Sequence, residues 1–159
     1  MVDRSLIAAL AFVCLSHPVI AQDAQPATAQ DAQPAKSQGG APTTKGYPAA
    51  ALLSTGTTIV GETIRYPSGT AHVTASIVTL APGARTIAHK HGVPMFAYIL
   101  EGEITVDYGA NGKRTYRQGD SLMEAMDVAH FGENTGTQPM RLIAVYMGAT
   151  DAKDVIPVK

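Results

Sequence analysis

Two histidines, His89 and His91, stand two positions apart in a stretch whose composition is typical of extended backbone. Side chains two apart on a β-strand point to the same face, so both imidazoles can reach one point. Neutral imidazole is a common ligand of zinc, copper, iron and nickel ions. A third histidine, His130, follows on a later predicted strand. We expect the three imidazoles to bind a metal ion; the alternative is that they only line a ligand pocket.

Met95 shares the parity of His89 and His91, so continued extended backbone would bring its side chain to the same face. A thioether is a soft ligand, and three imidazoles with a thioether would favour copper. In the other interpretation Met95 packs beside a three-histidine site with open coordination positions, because methionine commonly fills gaps in apolar cores. Both interpretations place Met95 next to the metal.

Acids and bases that could serve catalysis are few, and the sequence assigns no catalytic residue. Glu124 and Glu133 flank His130 in the sequence, and one of them could reach the cavity. We expect both to be exposed to solvent, because strand residues alternate between faces and glutamate is rarely buried. His72, on an earlier predicted strand, is expected on the surface.

Short runs rich in threonine, valine and isoleucine alternate with turn residues between positions 57 and 147. They predict strands at 57–66, 70–80, 95–100, 103–108, 113–117, 121–126, 130–133 and 140–147. Asn111-Gly112 lies between two of these runs and predicts a hairpin. Strands at this spacing, with no helical period between them, indicate an all-β sandwich or barrel.

Two ordered motifs make the chain resemble a small single-domain cupin over residues 55–148. The first motif is Gly, five residues, His-x-His, then Glu and a second Gly; the second begins with Gly and ends with His, three residues and Asn. The matching positions are Gly83, His89, His91 and Gly102, followed by Gly119, His130 and Asn134. The resemblance implies a double-stranded β-helix, the cupin jelly-roll barrel.

The chain departs from the family pattern at three positions. The glutamate of the first motif, a metal ligand in the family, falls on Met95. Ala125 replaces a proline and Asp127 a glycine of the second motif, both at turn positions, which affects the shape of the loop more than the fold.

The resemblance implies a function built on a transition metal: iron, manganese, nickel, zinc or copper, with copper favoured if Met95 is a ligand. The function expected from it is a metal-dependent, oxygenase-type enzyme that acts on a small organic molecule. The alternative is a non-catalytic module that binds a metal or a small ligand. Small members of the family usually dimerise, so a homodimer is expected in either case.

The N-terminal part predicts export. Residues 1–21 resemble a signal peptide, with Arg4 before an apolar run too short to span a bilayer and a cleavage site after Ala21. Residues 22–47 are a low-complexity linker rich in Ala, Gln and Pro, expected to be disordered, and residues 48–159 form the cupin domain. We expect a periplasmic or secreted protein, which would lack Cys14, the only cysteine, and therefore any thiolate ligand.

The charge balance excludes one class of partner. The chain has 12 Lys and Arg against 13 Asp and Glu, with no basic stripe. We therefore expect no binding to nucleic acid, and no membrane association once the signal is removed.

Overall fold

The computed structural model describes Gly46 and residues 49–158. The predicted signal peptide (1–21) and all of the predicted linker (22–47) except Gly46 lie outside the described residues. No helix among the described residues is long and apolar enough to cross a membrane.

The described part of the chain is built from strands, without an α-helix. The strands are β1 (Ala71–Leu80), β2 (His89–Lys90), β3 (Met95–Glu101), β4 (Glu103–Asp107), β5 (Lys113–Arg117), β6 (Ser121–Met123), β7 (Phe131–Glu133), β8 (Met140–Ala149) and β9 (Ile156–Pro157). One 3-10 turn, Gly109–Asn111, connects β4 to β5.

The strands form three antiparallel sheets. One has the order β1-β8-β3-β6, the second β5-β4-β7, and the third pairs the short strands β2 and β9. Inward-facing residues of the two larger sheets share one hydrophobic cluster, in which Ile99, Tyr116 and Met140 are fully buried. The fold is the predicted all-β jelly roll.

Alternation along the central strands explains this packing. In β3, Met95, Ala97 and Ile99 are buried while Phe96 and Tyr98 are partly exposed. The period of two places one set of side chains in the core. The predicted hairpin after β4 is also present, but its connection is the 3-10 turn followed by Gly112, whose φ is 83°.

Two sequence predictions about strands were wrong in part. Residues 57–66 form only an isolated bridge between Thr57 and Thr63, because the chain turns back at Gly61, where φ is 89°. The strand predicted at 121–126 ends at Met123. Beyond it, the backbone N–H groups of 126–128 donate to the Glu62 carboxylate instead of to a neighbouring strand.

Candidate metal centre

His89 and His130 are joined through their backbones. The N–H of each donates to the carbonyl oxygen of the other, both at 2.9 Å. Residues that exchange two hydrogen bonds in an antiparallel pair lie directly opposite each other, with their side chains on one face. The two imidazole ring centres are accordingly 4.6 Å apart.

His91 reaches the same point from the end of β2. Its ring centre lies 4.9 Å from that of His89 and 5.1 Å from that of His130. Its backbone N–H donates to the Met126 carbonyl oxygen at 3.1 Å. The C-terminal segment runs past this histidine, since β9 pairs with β2 and the Asp154 carbonyl oxygen lies 2.9 Å from His91 Nδ1.

Each of the three imidazoles has its Nδ1 against a backbone carbonyl oxygen. The acceptors are Ile87 for His89 at 2.8 Å, Asp154 for His91 at 2.9 Å and Val128 for His130 at 2.9 Å. A carbonyl can only accept, so Nδ1 carries the proton and the lone pair is on Nε2. The three rings are therefore held in the tautomer that leaves Nε2 free to bind a metal.

The ring nitrogens of the three histidines that carry no proton lie close together. One ring nitrogen from each histidine lies within 4.8 Å of the others. The Nε2 atoms of His91 and His130 are buried and have no hydrogen-bond partner. A buried acceptor without a partner is costly, and two such nitrogens beside a ring nitrogen of His89 match the needs of a metal ion.

Burial keeps these histidines neutral. It lowers the pKa of all three, and that of His91 falls to about 4, although the carbonyl acceptor at each Nδ1 works in the opposite direction. Imidazole must be neutral to bind a metal. The site is therefore ready to do so at neutral pH.

The histidines line a cavity of about 90 Å³. Its other walls are mostly apolar and come from both large sheets, with Val78, Ala97, Ile104, Val106, Leu122 and Leu142 among them. Met95 also lines this cavity and is 8% exposed. The structure thus brings all four residues predicted for the metal site to one cavity.

Glu124 is in the same cavity wall, so the prediction that it is exposed was wrong. Only 5% of Glu124 is exposed, because it shares parity with Leu122 on the inward face of the chain as it leaves β6. Burial raises the pKa of its carboxyl group to about 7, against the lowering effect of the Ala125 N–H and the Tyr108 hydroxyl. The parity with Leu122 was the available sequence signal.

Glu133 and His72 lie away from the cavity. Glu133 is half-buried and forms an ion pair with Arg85 at 3.2 Å. His72 is exposed on β1, as expected.

Three tyrosines that the sequence analysis did not single out surround the site. The Tyr108 and Tyr116 hydroxyls are 3.0 Å apart, and the Tyr108 ring centre lies 5.6 Å from that of His130. The Tyr146 ring centre lies 5.6 Å from that of His91. Burial raises the pKa of each tyrosine, and the charge of Glu124 adds to the rise. All three hydroxyls therefore keep their protons at neutral pH.

Glu62 holds the loop that carries His130. Its carboxylate accepts hydrogen bonds from the N–H groups of residues 126, 127 and 128 at 2.8–3.1 Å. Burial opposes ionisation of Glu62, but these bonds and one from the Thr58 hydroxyl outweigh it and lower the pKa. The carboxylate therefore fixes the turn that contains Asp127.

Asn134, the last residue of the second motif, has a structural role. Its amide nitrogen donates to the carbonyl oxygens of Leu80 and Gln138, both at 2.9 Å, and its side-chain oxygen accepts the Gly136 N–H at 3.0 Å. It closes the turn between β7 and β8 and takes no part in the cavity wall.

Comparison with known proteins gives one family match. Residues 76–146 match the family model described as "Cupin domain". The matched segment contains the three histidines and Glu124. No curated protein matches the sequence.

Similar solved structures include oxalate decarboxylases. The Bacillus subtilis enzyme at pH 4.6 is 24% identical, with a TM-score of 0.45, over 54% of this chain and 23% of that one. A formate complex of the Lactobacillus farciminis enzyme is 23% identical, with a TM-score of 0.45, over 54% of this chain and 26% of that one. The aligned part of this chain thus spans about a quarter of the length of those proteins.

Proposed function

We propose that the chain is a cupin in which His89, His91 and His130 hold a transition metal ion, with a small organic molecule bound beside it. The observation that carries this proposal is the arrangement of the imidazoles: each Nδ1 faces a backbone carbonyl, and the ring nitrogens meet within 4.8 Å. The family match over residues 76–146 supports it.

The donor set fits such an ion. Three neutral imidazoles suit iron, nickel, copper and zinc, and three protein ligands leave positions for a substrate or water. When bound, the metal would polarise an oxygen of the ligand or bind dioxygen. The protein's own contribution is to orient the imidazoles through their Nδ1 hydrogen bonds and to limit water with apolar walls.

The size of the cavity limits the ligand. About 10–15 Å³ of such accessible volume holds one water molecule, so a cavity of about 90 Å³ holds roughly six to nine groups of that size without a rearrangement of its walls. We therefore propose a small substrate, and an oxygenase-type reaction in which the open positions of the metal are used. A module that binds without turnover is the alternative.

Metal analysis of the purified protein tests the metal site. We expect about one transition metal ion per chain, retained in His72→Ala, which changes an exposed histidine, and lost in His91→Ala. Azide added to the metal-loaded protein then tests for an open position through a change in its absorption or magnetic resonance spectrum. A protein that binds no metal at micromolar concentration would overturn the proposal; a loaded protein with no response to azide would favour the binding module.

We also propose that the chain forms a homodimer through β1. Among the described residues, β1 pairs on one side only, with β8. Its Val73 and Ile77 are 62% and 57% exposed, and an unpaired strand edge is a template for pairing with a second copy. Light scattering should give twice the monomer mass, and a Val73→Lys/Ile77→Lys variant should be monomeric. A monomeric wild-type protein would contradict this.

Export remains part of the proposal, on the strength of the predicted signal peptide and cleavage after Ala21. N-terminal sequencing of the protein recovered from the periplasm should begin at Gln22. Recovery from the cytoplasm with residues 1–21 intact would contradict it.

A further inference from the structure

Glu124 is a buried carboxylate that forms no ion pair with any cationic side chain among the described residues. It is 5% exposed, and its Oε1 accepts the N–H of Ala125 at 2.8 Å. The ion pairs between described residues all lie elsewhere: Arg65–Asp127, Arg85–Glu133, Lys113–Asp107, Arg117–Glu103 and Arg141–Glu101. Burial of an unpaired carboxylate is costly unless it is protonated or a cation compensates its charge. When Glu124 is ionised, a cation other than a paired side chain would have to supply the positive charge.

The strand register places Glu124 opposite Met95. Phe96 pairs with Met123 and Ala97 with Leu122. One residue further along, the Glu124 N–H donates to the Met95 carbonyl oxygen at 2.9 Å, so Glu124 lies opposite Met95. Opposite residues in an antiparallel pair direct their side chains to the same face. Here that face is the wall of the cavity that contains the three imidazoles.

We propose that Glu124 supplies the carboxylate counter-charge of the metal centre, from the strand neighbouring the one that carries Met95. This inference rests on the proposed metal site. The three imidazoles are neutral, so they bring no charge to balance a divalent ion. A carboxylate in the same small cavity lowers the net charge of the metal centre from +2 to +1. The metal ion in turn supplies a positive charge that offsets the cost of burying the carboxylate.

A preference among metals follows from this assignment. A negative charge beside the site stabilises a divalent ion more than copper(I), which carries a single charge. Carboxylates beside a metal also strengthen its binding, and removing such a partner typically weakens metal affinity about 10- to 100-fold. Glu124 therefore favours a divalent ion over copper(I).

The test compares two neutral substitutions, Glu124→Gln and Glu133→Gln. Both replace a carboxylate by an amide of the same shape close to His130 in the sequence, but Glu133 forms an ion pair with Arg85. Apo-protein of each variant is titrated with Mn²⁺, and in parallel with Zn²⁺, by calorimetry. We expect Glu124→Gln to weaken Mn²⁺ binding about 10- to 100-fold and Glu133→Gln to change it less than about twofold.

Thermal unfolding with and without Mn²⁺ separates this role from a merely structural one. The apo form of Glu124→Gln should be as stable as the wild type or more stable, because an unpaired buried charge is removed, and Mn²⁺ should stabilise it less. If the Gln variant binds both ions as tightly as the wild type does, while His91→Ala does not bind, the inference is wrong and the metal site stands. If the wild type binds neither ion, the proposed function fails as well.

Discussion

The backbones of His89 and His130 exchange two hydrogen bonds, each 2.9 Å long. This pair joins the two sequence motifs directly, because one histidine belongs to each. The side chains of such a pair must share a face, so the imidazoles meet without any long-range adjustment of the strands. The position of His91 depends on other contacts, namely the Met126 carbonyl and the C-terminal segment.

The hydrogen bonds from the loop at 126–128 to the Glu62 carboxylate give a first prediction. Glu62→Ala removes three hydrogen bonds from backbone N–H groups to a charged acceptor, and should lower the free energy of unfolding by about 2 kcal/mol. It should also weaken metal binding, because Val128, the acceptor for His130 Nδ1, lies in the same loop. Chemical denaturation and calorimetry measure the two effects.

The matched control for Glu62 is Asp127→Ala in the same loop. Among the described residues, the Asp127 side chain contributes only an exposed ion pair with Arg65, and such pairs contribute about 0–1 kcal/mol. Equal effects of the two substitutions would show that the Glu62 hydrogen bonds do not hold this loop in place.

A second prediction concerns Gly92, which lies under the C-terminal segment. A Cβ at this position would overlap the Lys153 carbonyl oxygen, so Gly92→Ala must displace the segment that supplies the Asp154 carbonyl to His91. We expect about a tenfold loss of metal affinity. Gly56→Ala, where a Cβ meets nothing within 4 Å, is the control and should change neither affinity nor stability. Unchanged binding in Gly92→Ala would mean that the C-terminal segment does not position His91.

Proton release on metal binding gives a third prediction. Without metal, the Glu124 carboxyl has a pKa of about 7, so it is mostly protonated at pH 6. The pKa of His91 is about 4, so its imidazole has almost no proton to lose at this pH, and burial also lowers the pKa of His89 and of His130. Glu124 should therefore contribute about one proton to the release on metal binding at pH 6, and almost none at pH 8.5, where it is already ionised.

Calorimetry in two buffers with different ionisation enthalpies measures this release. Glu124→Gln should release about one proton fewer than the wild type at pH 6. Equal release from both proteins would show that the proton comes from another group.

A fourth prediction concerns the transfer of the carboxylate from position 124 to position 95 on the neighbouring strand. If its charge is what the site needs, Met95→Glu in the Glu124→Gln background should recover most of the lost Mn²⁺ affinity, because positions 95 and 124 face the same cavity. Met95→Gln in that background has the same shape without the charge and should recover none. Calorimetry compares the two double variants, and equal affinities would contradict the role of the charge.

The sequence predicted the all-β fold and the common face of His89 and His91 because both depend on local spacing, whereas His130 was singled out by its place in the second motif. The parity of His89 and His91, the glycines at turns and the alternation in 95–108 all act over a few residues. The prediction failed at 57–66, where threonine-rich alternation was overridden by the turn at Gly61. It failed at Glu124 because a general tendency of glutamate to be exposed outweighed the parity with Leu122.

Other parts of the site depend on contacts between distant residues. The Asp154 carbonyl reaches His91 only because β9 pairs with β2, and Glu62 reaches the loop at 126–128 from the start of the domain. Neither contact has a periodic pattern in the sequence. The three tyrosines around the site likewise come from separate parts of the chain, Tyr108 just after β4, Tyr116 in β5 and Tyr146 in β8, and only the assembled sheets bring them together.

The central claim is that His89, His91 and His130 bind a metal ion together. X-ray absorption spectroscopy at the edge of the bound metal tests it most directly, because imidazole rings produce a characteristic multiple-scattering pattern. We expect a shell of nitrogen and oxygen ligands at roughly 2.0–2.2 Å, with the scattering of three imidazoles, reduced to two in His130→Ala if that variant still retains metal. A spectrum without imidazole scattering, or one that His130→Ala leaves unchanged, would contradict it.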